Sequence, residues 1–468
     1  MVLVKVKWGK EQYDVEVDIA QPVGVFKQDL QRLTNVPVDK MKVMGVKQGQ
    51  LKDEHSLIDC GLVAGKVLML VGSAEAIAPP PVQPVLFAED GGPVGNAANS
   101  PNSNGLHNVG NTCYLNSALQ VMRVMPELRD VARQARQDIP RLLLALYDQL
   151  DGTKAAVSPL AFWLKFIQQH PAFGQADDHG HMMQHDAQEA LCAVLATITH
   201  TIDAEPALQA THHALYRGEM RSVVTAPDDA TFRREERLPF VVLPCNIAGE
   251  AQTLEAGLEQ AMDETFAGKA NGAAAGAPQM HFQRRNRLER LPEYLLVHFV
   301  RFTWRTDTKA KAKILKPISF PFVLDVNMLC SDDLKAALVP ERNIVRVRRD
   351  QEIERRKRMR QKSGADDELA PDTDAIPAPE AQAVPIGNTS GYYELCGVIS
   401  HKGRDADHGH YCAWAKKGTH WLIYDDHNCA PVTEEDVRRL RGIADGHIAY
   451  VLLYRSRDPE TQLGPLPL

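Results

Sequence analysis

Gly105-Leu-His-Asn-Val-Gly-Asn-Thr-Cys-Tyr-Leu-Asn-Ser-Ala-Leu-Gln120 runs from a polar, glycine-containing loop straight into an amphipathic helix, and the change falls at a cysteine. Leu115, Ala118, Leu119 and Met122 recur at the 3.6-residue helical period, and Thr112 stands where a helix cap belongs. Cys113 is thereby placed in the first turn, near backbone N–H groups that have no partner within the helix. Those donors and the helix dipole favour thiolate over thiol, which makes Cys113 the candidate nucleophile.

A nucleophile needs a base, and the carboxyl-terminal part of the chain supplies one. Gly409-His-Tyr-Cys-Ala-Trp-Ala415 alternates like a strand, Lys416-Lys-Gly-Thr419 is a turn signal, and His420-Trp-Leu-Ile-Tyr-Asp425 reads as the returning strand. With Lys417 and Gly418 as the two loop residues, antiparallel pairing puts His410 directly opposite Asp425 on one face of the sheet. A carboxylate there can fix the imidazole tautomer and stabilise the imidazolium that forms when a thiol is deprotonated. Spacing alone does not bring His410 to Cys113.

Upstream of the cysteine, Val2 to Trp8 and Tyr13 to Val17 alternate like a hairpin, Val25, Phe26, Leu30 and Leu33 share a helical face, and Met41 to Val46 and Val67 to Val71 read as strands. The order β-β-α-β-β within 1–73 points to a small α+β domain. Residues 74–104, rich in Ala, Pro, Gly, Asn and Ser, read as a flexible linker, and a second domain is expected over 105–468. Within it, 339–390 begins with a basic run, continues acidic and proline-rich, and is expected to be a disordered insertion.

Composition excludes several classes. A net charge of −7 argues against a chain devoted to nucleic-acid binding. No stretch approaches the roughly 20 apolar residues of a membrane helix, and Lys5 and Lys7 interrupt the apolar start, so neither a membrane span nor a secretory signal is expected. Eight scattered cysteines do not form a disulfide framework, which points to a reducing intracellular compartment, cytoplasmic with the nucleus as a second location. Cys60, Cys192, Cys245, Cys330, Cys396, Cys412 and Cys429 form no Cys-x-x-Cys pair, so no structural zinc is expected. His179, His181 and His185 lie in a loop with no fixed carboxylate geometry, and the set His401, His408 and His410 contains the base, whose imidazole must stay free; neither is read as a metal site.

Residues 105–117 resemble the cysteine box of the ubiquitin-specific protease family. Gly391-Tyr-Tyr-Glu-Leu395 through Gly409-His-Tyr411 and Tyr424-Asp-Asp426 resemble its histidine box. Asp186-Ala-Gln-Glu-Ala190, Arg290 to Phe302, Lys316 to Pro321 and Ala449 to Tyr454 extend the match. Residues 1–73 resemble ubiquitin itself, without a terminal diglycine, and the domain order is similar to that of the family's proteasome-associated members. The resemblance implies an α+β chain with an amino-terminal β-grasp domain and a papain-like catalytic domain.

It further implies a deubiquitinating cysteine protease that cleaves at the carboxyl-terminal glycine of ubiquitin and recycles ubiquitin from conjugates. Cys113 would be the nucleophile, His410 the base and acid, Asp425 its orienter, and Asn108 an oxyanion donor. Asp186 would meet the basic tail of ubiquitin, with Gln188 and Asp426 also on the substrate side. The implied partners are ubiquitin, ubiquitinated proteins and the 26S proteasome regulatory particle, the last through residues 1–73. No cofactor, nucleic acid or membrane is implied. The loop Gly403 to Gly409 resembles one that covers the cleft until a partner displaces it. The rival reading is a non-catalytic ubiquitin-binding adaptor that regulates the proteasome.

Overall fold

The computed structural model describes residues 104–247, 249–268, 279–305, 310–362, 387–403, 409–442 and 446–457, and within 2–71 the elements named below with a few adjoining residues. The expected linker lies, but for Asn104, outside the described residues; so do 363–386 of the expected insertion and 404–408 of the loop before His410. The chain divides into two units, Met1–Pro84 and Val85–Leu468.

In the first unit, β1 (Val2–Trp8) and β2 (Glu11–Val17) form the expected hairpin, followed by α1 (Val23–Thr34), β3 (Lys42–Val46), a two-residue β4 (Gly49–Gln50) and β5 (Val67–Val71). The sheet order is β2-β1-β5-β3-β4, with β1 and β5 parallel. Alternation sets its two faces. Val4, Val6, Leu68 and Leu70 face inward onto Val23, Phe26 and Leu30 of α1, while Leu3, Met44, Val67, Met69 and Val71 are exposed.

The second unit opens with helices. All ten residues of α2 (Cys113–Met122) are buried. It is followed by α3 (Glu127–Gln134), α4 (Asp138–Gly152), α5 (Leu160–Gln169), α6 (Ala187–Ala204) and α7 (Pro206–His212). Next come β6 (Gly218–Ala226), β7 (Asp229–Phe240), β8 (Val242–Cys245), α8 (Leu254–Met262), β9 (Asp263–Gly268) and β10 (Met280–Arg290). Strands β7-β6-β10-β9 make a four-stranded sheet, on which Phe232 and Phe266 pack against Phe282.

The remaining elements are β11 (Tyr294–Phe299), β12 (Phe302–Arg305), β13 (Ala310–Lys313), β14 (Val323–Asp325), α9 (Asp332–Lys362), β15 (Tyr392–Lys402), β16 (His410–Lys417), β17 (His420–Asp425), β18 (Asn428–Val432), α10 (Glu434–Arg439) and β19 (Ile448–Ser456). An eight-stranded sheet runs β18-β17-β16-β15-β19-β11-β8, with β14 added beside β15. It is buried on both faces. Tyr411, Ala413 and Ala415 point into one core with α2 and α6, while Cys412, Trp414 and Leu452 point into a second core.

Two expectations are corrected here. The β16–β17 turn uses Gly418 and Thr419, because Lys417 pairs with His420; Gly418 has the positive φ of 60° that a first turn position needs. The ladder, which ends at Ala413 opposite Tyr424, therefore places Cys412 rather than His410 across from Asp425. The shift is by two residues, so the faces are unchanged and Asp425 reaches His410 along the diagonal.

The second correction concerns residues 339–362. They continue α9 with Pro340 inside it, instead of opening a flexible insertion. Leu338 and Val345, two turns apart, are buried, and Arg342 pairs with Asp325 at 2.9 and 2.7 Å while lying over the Tyr392 ring. Low apolar content concealed an anchoring ion pair.

Candidate active site

Cys113 occupies the first position of α2 and is 3% exposed. Thr112 is at the N-cap but does not cap with its side chain, contrary to expectation. Its hydroxyl accepts from Val109 N–H at 3.0 Å and donates to Asn108 Oδ1 at 3.3 Å, tightening the preceding loop. The Thr112 carbonyl accepts from Leu115 and Asn116 N–H at 3.0 and 2.9 Å, which leaves the Cys113 and Tyr114 N–H groups as the donors that an α-helix start does not pair.

Asn108 Oδ1 also accepts from the N–H groups of Gly110 and Thr112, at 3.0 and 3.1 Å. Its Nδ2 donates to Asp426 Oδ2 at 2.9 Å, while Asn116 Nδ2, one turn into α2, donates to Asp426 Oδ1 at 2.7 Å. Asp426 thus holds both the loop before the cysteine and the helix after it. The backbone comes equally close: Leu106 N–H donates to Asp426 C=O at 2.8 Å, and a Cβ on Gly105 would lie 2.1 Å from that oxygen. Only glycine fits there.

From the sheet side, His410 at the start of β16 makes a 2.6 Å hydrogen bond through Nε2 to Asp425 Oδ1, and the Cys113 and Cys412 sulfurs lie beside its ring. The long-range approach that spacing could not supply is present. Burial works against the imidazolium, but Asp425, with the Cys113 and Cys412 sulfurs, outweighs it and holds the His410 pKa well above its ordinary value. Asp425 itself is buried. The candidate nucleophile lies on a helix, its candidate base and orienter on a hairpin.

The other expected residues have defined partners. Asp186 caps α6, its Oδ1 accepting from Gln188 and Glu189 N–H at 2.7 and 3.2 Å, while Oδ2 accepts from the Tyr450 hydroxyl. The Gln188 side chain donates to Cys192 Sγ at 3.1 Å. His401 is buried, with Nδ1 2.6 Å from Lys313 Nζ, and His408 lies outside the described residues. Asp177 does organise the loop of His179 and His181, accepting both their N–H groups at 2.9 and 2.8 Å, and His185 packs on Tyr114 and Phe173.

Sequence reasoning missed Gln184, whose Nε2 lies 3.7 Å from Cys113 Sγ as a donor, and Asn116. Asn116 had a local signal, sitting one turn after the cysteine in the quoted stretch. Gln184 had none beyond its place two residues before Asp186.

The family described as "Ubiquitin carboxyl-terminal hydrolase" matches residues 104–454, and the one described as "Ubiquitin family" matches residues 2–75. The chain belongs to the ubiquitin carboxyl-terminal hydrolase family. It is similar to ubiquitin carboxyl-terminal hydrolase 6 of Arabidopsis thaliana, with 34% identity over 98% of this chain and 99% of the relative. Ubiquitin carboxyl-terminal hydrolase 14 of Caenorhabditis elegans is 29% identical over 100% of this chain and 96% of its own length. Ubiquitin carboxyl-terminal hydrolase 6 of Schizosaccharomyces pombe is likewise 29% identical, over 98% of this chain and 99% of the relative. As a ubiquitin carboxyl-terminal hydrolase, the chain is a cysteine deubiquitinase of α+β architecture with an amino-terminal ubiquitin-like domain. Among the described residues, no helix is long and apolar enough to cross a membrane.

Proposed function

We propose that this hydrolase acts at the proteasome, releasing ubiquitin from conjugates delivered there, with Cys113, His410, Asp425 and Asn108 as its catalytic residues. The observation that supports the catalytic assignment is His410 bonded to Asp425 at 2.6 Å with the Cys113 sulfur beside its ring. In the first step His410 takes the thiol proton and Cys113 attacks the carbonyl carbon of ubiquitin's terminal glycine. The resulting oxyanion is met by Asn108 Nδ2 and the first-turn N–H groups of α2, donors worth roughly 3–4 kcal/mol each where measured. His410 then protonates the departing lysine amine, and water, deprotonated by His410, releases the acyl group.

Asp186, Gln188 and Asp426 form the substrate side of this reading. Asp186 keeps its acidic group near the cleft while capping α6, so it can attract the basic tail of ubiquitin through its field. The partner assignment draws on the first unit. Leu3, Met44, Val67, Met69 and Val71 form an exposed apolar face, with Lys5 paired to Val67 and Lys7 to Met69 across the strands. Such a face suits an apolar groove with an acidic rim on the regulatory particle.

A ubiquitin propargylamide probe tests the catalytic half: a covalent adduct on Cys113 in the presence of proteasome is expected. Absence of that adduct would favour a non-catalytic adaptor. Capture of the regulatory particle by the full chain, lost on deletion of residues 1–73, tests the partner half.

A further inference from the structure

The register that aligns β16 with β17 sets a second thiol, Cys412, across the sheet from Asp425 and beside His410. Ligand atoms of His410, Cys412 and Asp425 all lie within 4.8 Å of one another, and Cys412 and Asp425 are buried. A fourth donor stands beside them. His447 Nε2 is 3.9 Å from Cys412 Sγ, and the His447 and His410 rings meet edge to face at 6.1 Å.

We propose that His410, Cys412, Asp425 and His447 form an inhibitory binding site for a borderline-soft divalent cation, Zn²⁺. Thiolate, imidazole and carboxylate together are a zinc donor set, and hard cations such as Mg²⁺ would refuse the sulfur. Bonds of about 2.0–2.3 Å at tetrahedral angles put neighbouring ligand atoms roughly 3.3–3.6 Å apart. The 3.9 Å sulfur-to-His447 separation is close to that, the 2.6 Å bond between His410 and Asp425 must open by less than an ångström, and the spread of up to 4.8 Å among the His410, Cys412 and Asp425 ligand atoms must close by about an ångström.

The surrounding groups orient the fourth ligand. Trp414 Nε1–H donates to Ser400 Oγ at 2.8 Å, and Ser400 Oγ lies 3.1 Å from His447 Nδ1. With the Nδ1–H donated to that hydroxyl, the Nε2 lone pair faces Cys412, the arrangement that fixes a metal-binding histidine.

Zinc on Nε2 would replace the proton His410 shares with Asp425 and drain basicity from Nδ1, the ring nitrogen left to serve Cys113. The enzyme would be switched off without any bond to its nucleophile. The functional consequence rests on the catalytic reading above, but occupancy does not, so the test separates them.

Full-length chain in a phosphine reductant, carrying Cys113→Ser, is titrated with Co²⁺. The expected result is a thiolate-to-cobalt charge-transfer band saturating at about one equivalent, displaced by Zn²⁺, and abolished by adding Cys412→Val. His447→Asn, which removes no thiol, should weaken Zn²⁺ at least tenfold in chelator competition, and it decides the matter should the Cys412 variant not fold. In reporter assays, inhibition of Cys412→Val should require at least tenfold more Zn²⁺ than the parent chain. A band that survives Cys412→Val, or one that disappears with Cys113→Ser alone, would overturn the site. No hydrolysis by the parent chain would instead overturn the catalytic reading and leave the spectra to decide on the metal.

Discussion

The five-stranded and eight-stranded sheets treat their surfaces in opposite ways. The first covers one face with α1 and leaves Leu3, Met44, Val67, Met69 and Val71 exposed on the other; the second is buried on both faces, between two separate cores. An open apolar face suits binding, where area must be available to a partner. A sheet covered twice suits catalysis, because His410 and Asp425 on its strands are held by packing, in surroundings where their hydrogen bond is stronger than in water. The difference predicts that changes in the second sheet alter turnover, and changes in the first alter only partnership.

The largest effect should come from the sulfur. Cys113→Ala should reduce ubiquitin-reporter hydrolysis by roughly 10,000-fold or more in single-turnover assays, while ubiquitin binding persists. Residual turnover near the parent rate would remove Cys113 from the chemistry. Next is Asp425→Asn, which keeps the shape of the diad but not its charge. We expect kcat to fall by about 100- to 10,000-fold. Because Asp425 raises the His410 pKa, the imidazolium survives to higher pH in the parent chain; in the variant the alkaline limb of activity should move to lower pH. An unmoved limb would mean that another group orients the base.

Asp426→Ala is the intermediate case, since this carboxylate accepts from Asn108 and Asn116 rather than from His410. A loss of roughly 10- to 100-fold in kcat and of about 1–3 kcal/mol in stability is expected, from two orphaned amides. Thermal unfolding and reporter kinetics measure the two effects separately. An alkaline limb displaced as in Asp425→Asn would show that the neighbouring carboxylates share one role.

How these sites could be read differed by residue. Cys113 was legible because loop, cap position and helical period are local. The His410 to Asp425 pairing was legible despite a register error of two residues, since parity, which sets the face, is robust where exact pairing is not. The amino-terminal unit was legible from strand alternation. The Cys113 to His410 approach, the Gln184 contact and the Tyr450 to Asp186 bond depend on tertiary packing between distant segments, which no local pattern encodes. The helix over 339–362 was missed because it is held by Arg342 and two apolar residues, a signal below that of a hydrophobic stripe.

On the first sheet, Met69→Glu puts a charge at the centre of the exposed face, where Met69 is 57% accessible. Capture of the regulatory particle should weaken about tenfold, the size expected for one central interface residue. Reporter hydrolysis by the isolated chain, measured alongside, tests the division of labour: a comparable loss there would break the distinction between a binding sheet and a catalytic one.

The smallest effect should come from Lys313, which measures how completely the second sheet is sealed. Its Nζ donates to the carbonyls of His401 and Gly403 at 2.9 and 3.0 Å and lies 2.6 Å from His401 Nδ1. A neutral amine fits these partners, with two N–H groups for the carbonyls and a lone pair for an imidazole N–H. Burial, and then the charge of Arg301, bring its pKa down to about 7 from an ordinary 10.5. Between those values the unfolded chain binds the extra proton, so stability rises with pH through that window. Lys313→Met cannot take up the proton, and the gain in Tm from pH 7 to pH 9 should shrink by a few degrees. An unchanged gain would mean that water reaches the ammonium, and that the sheet is open at the strand end leading to His410.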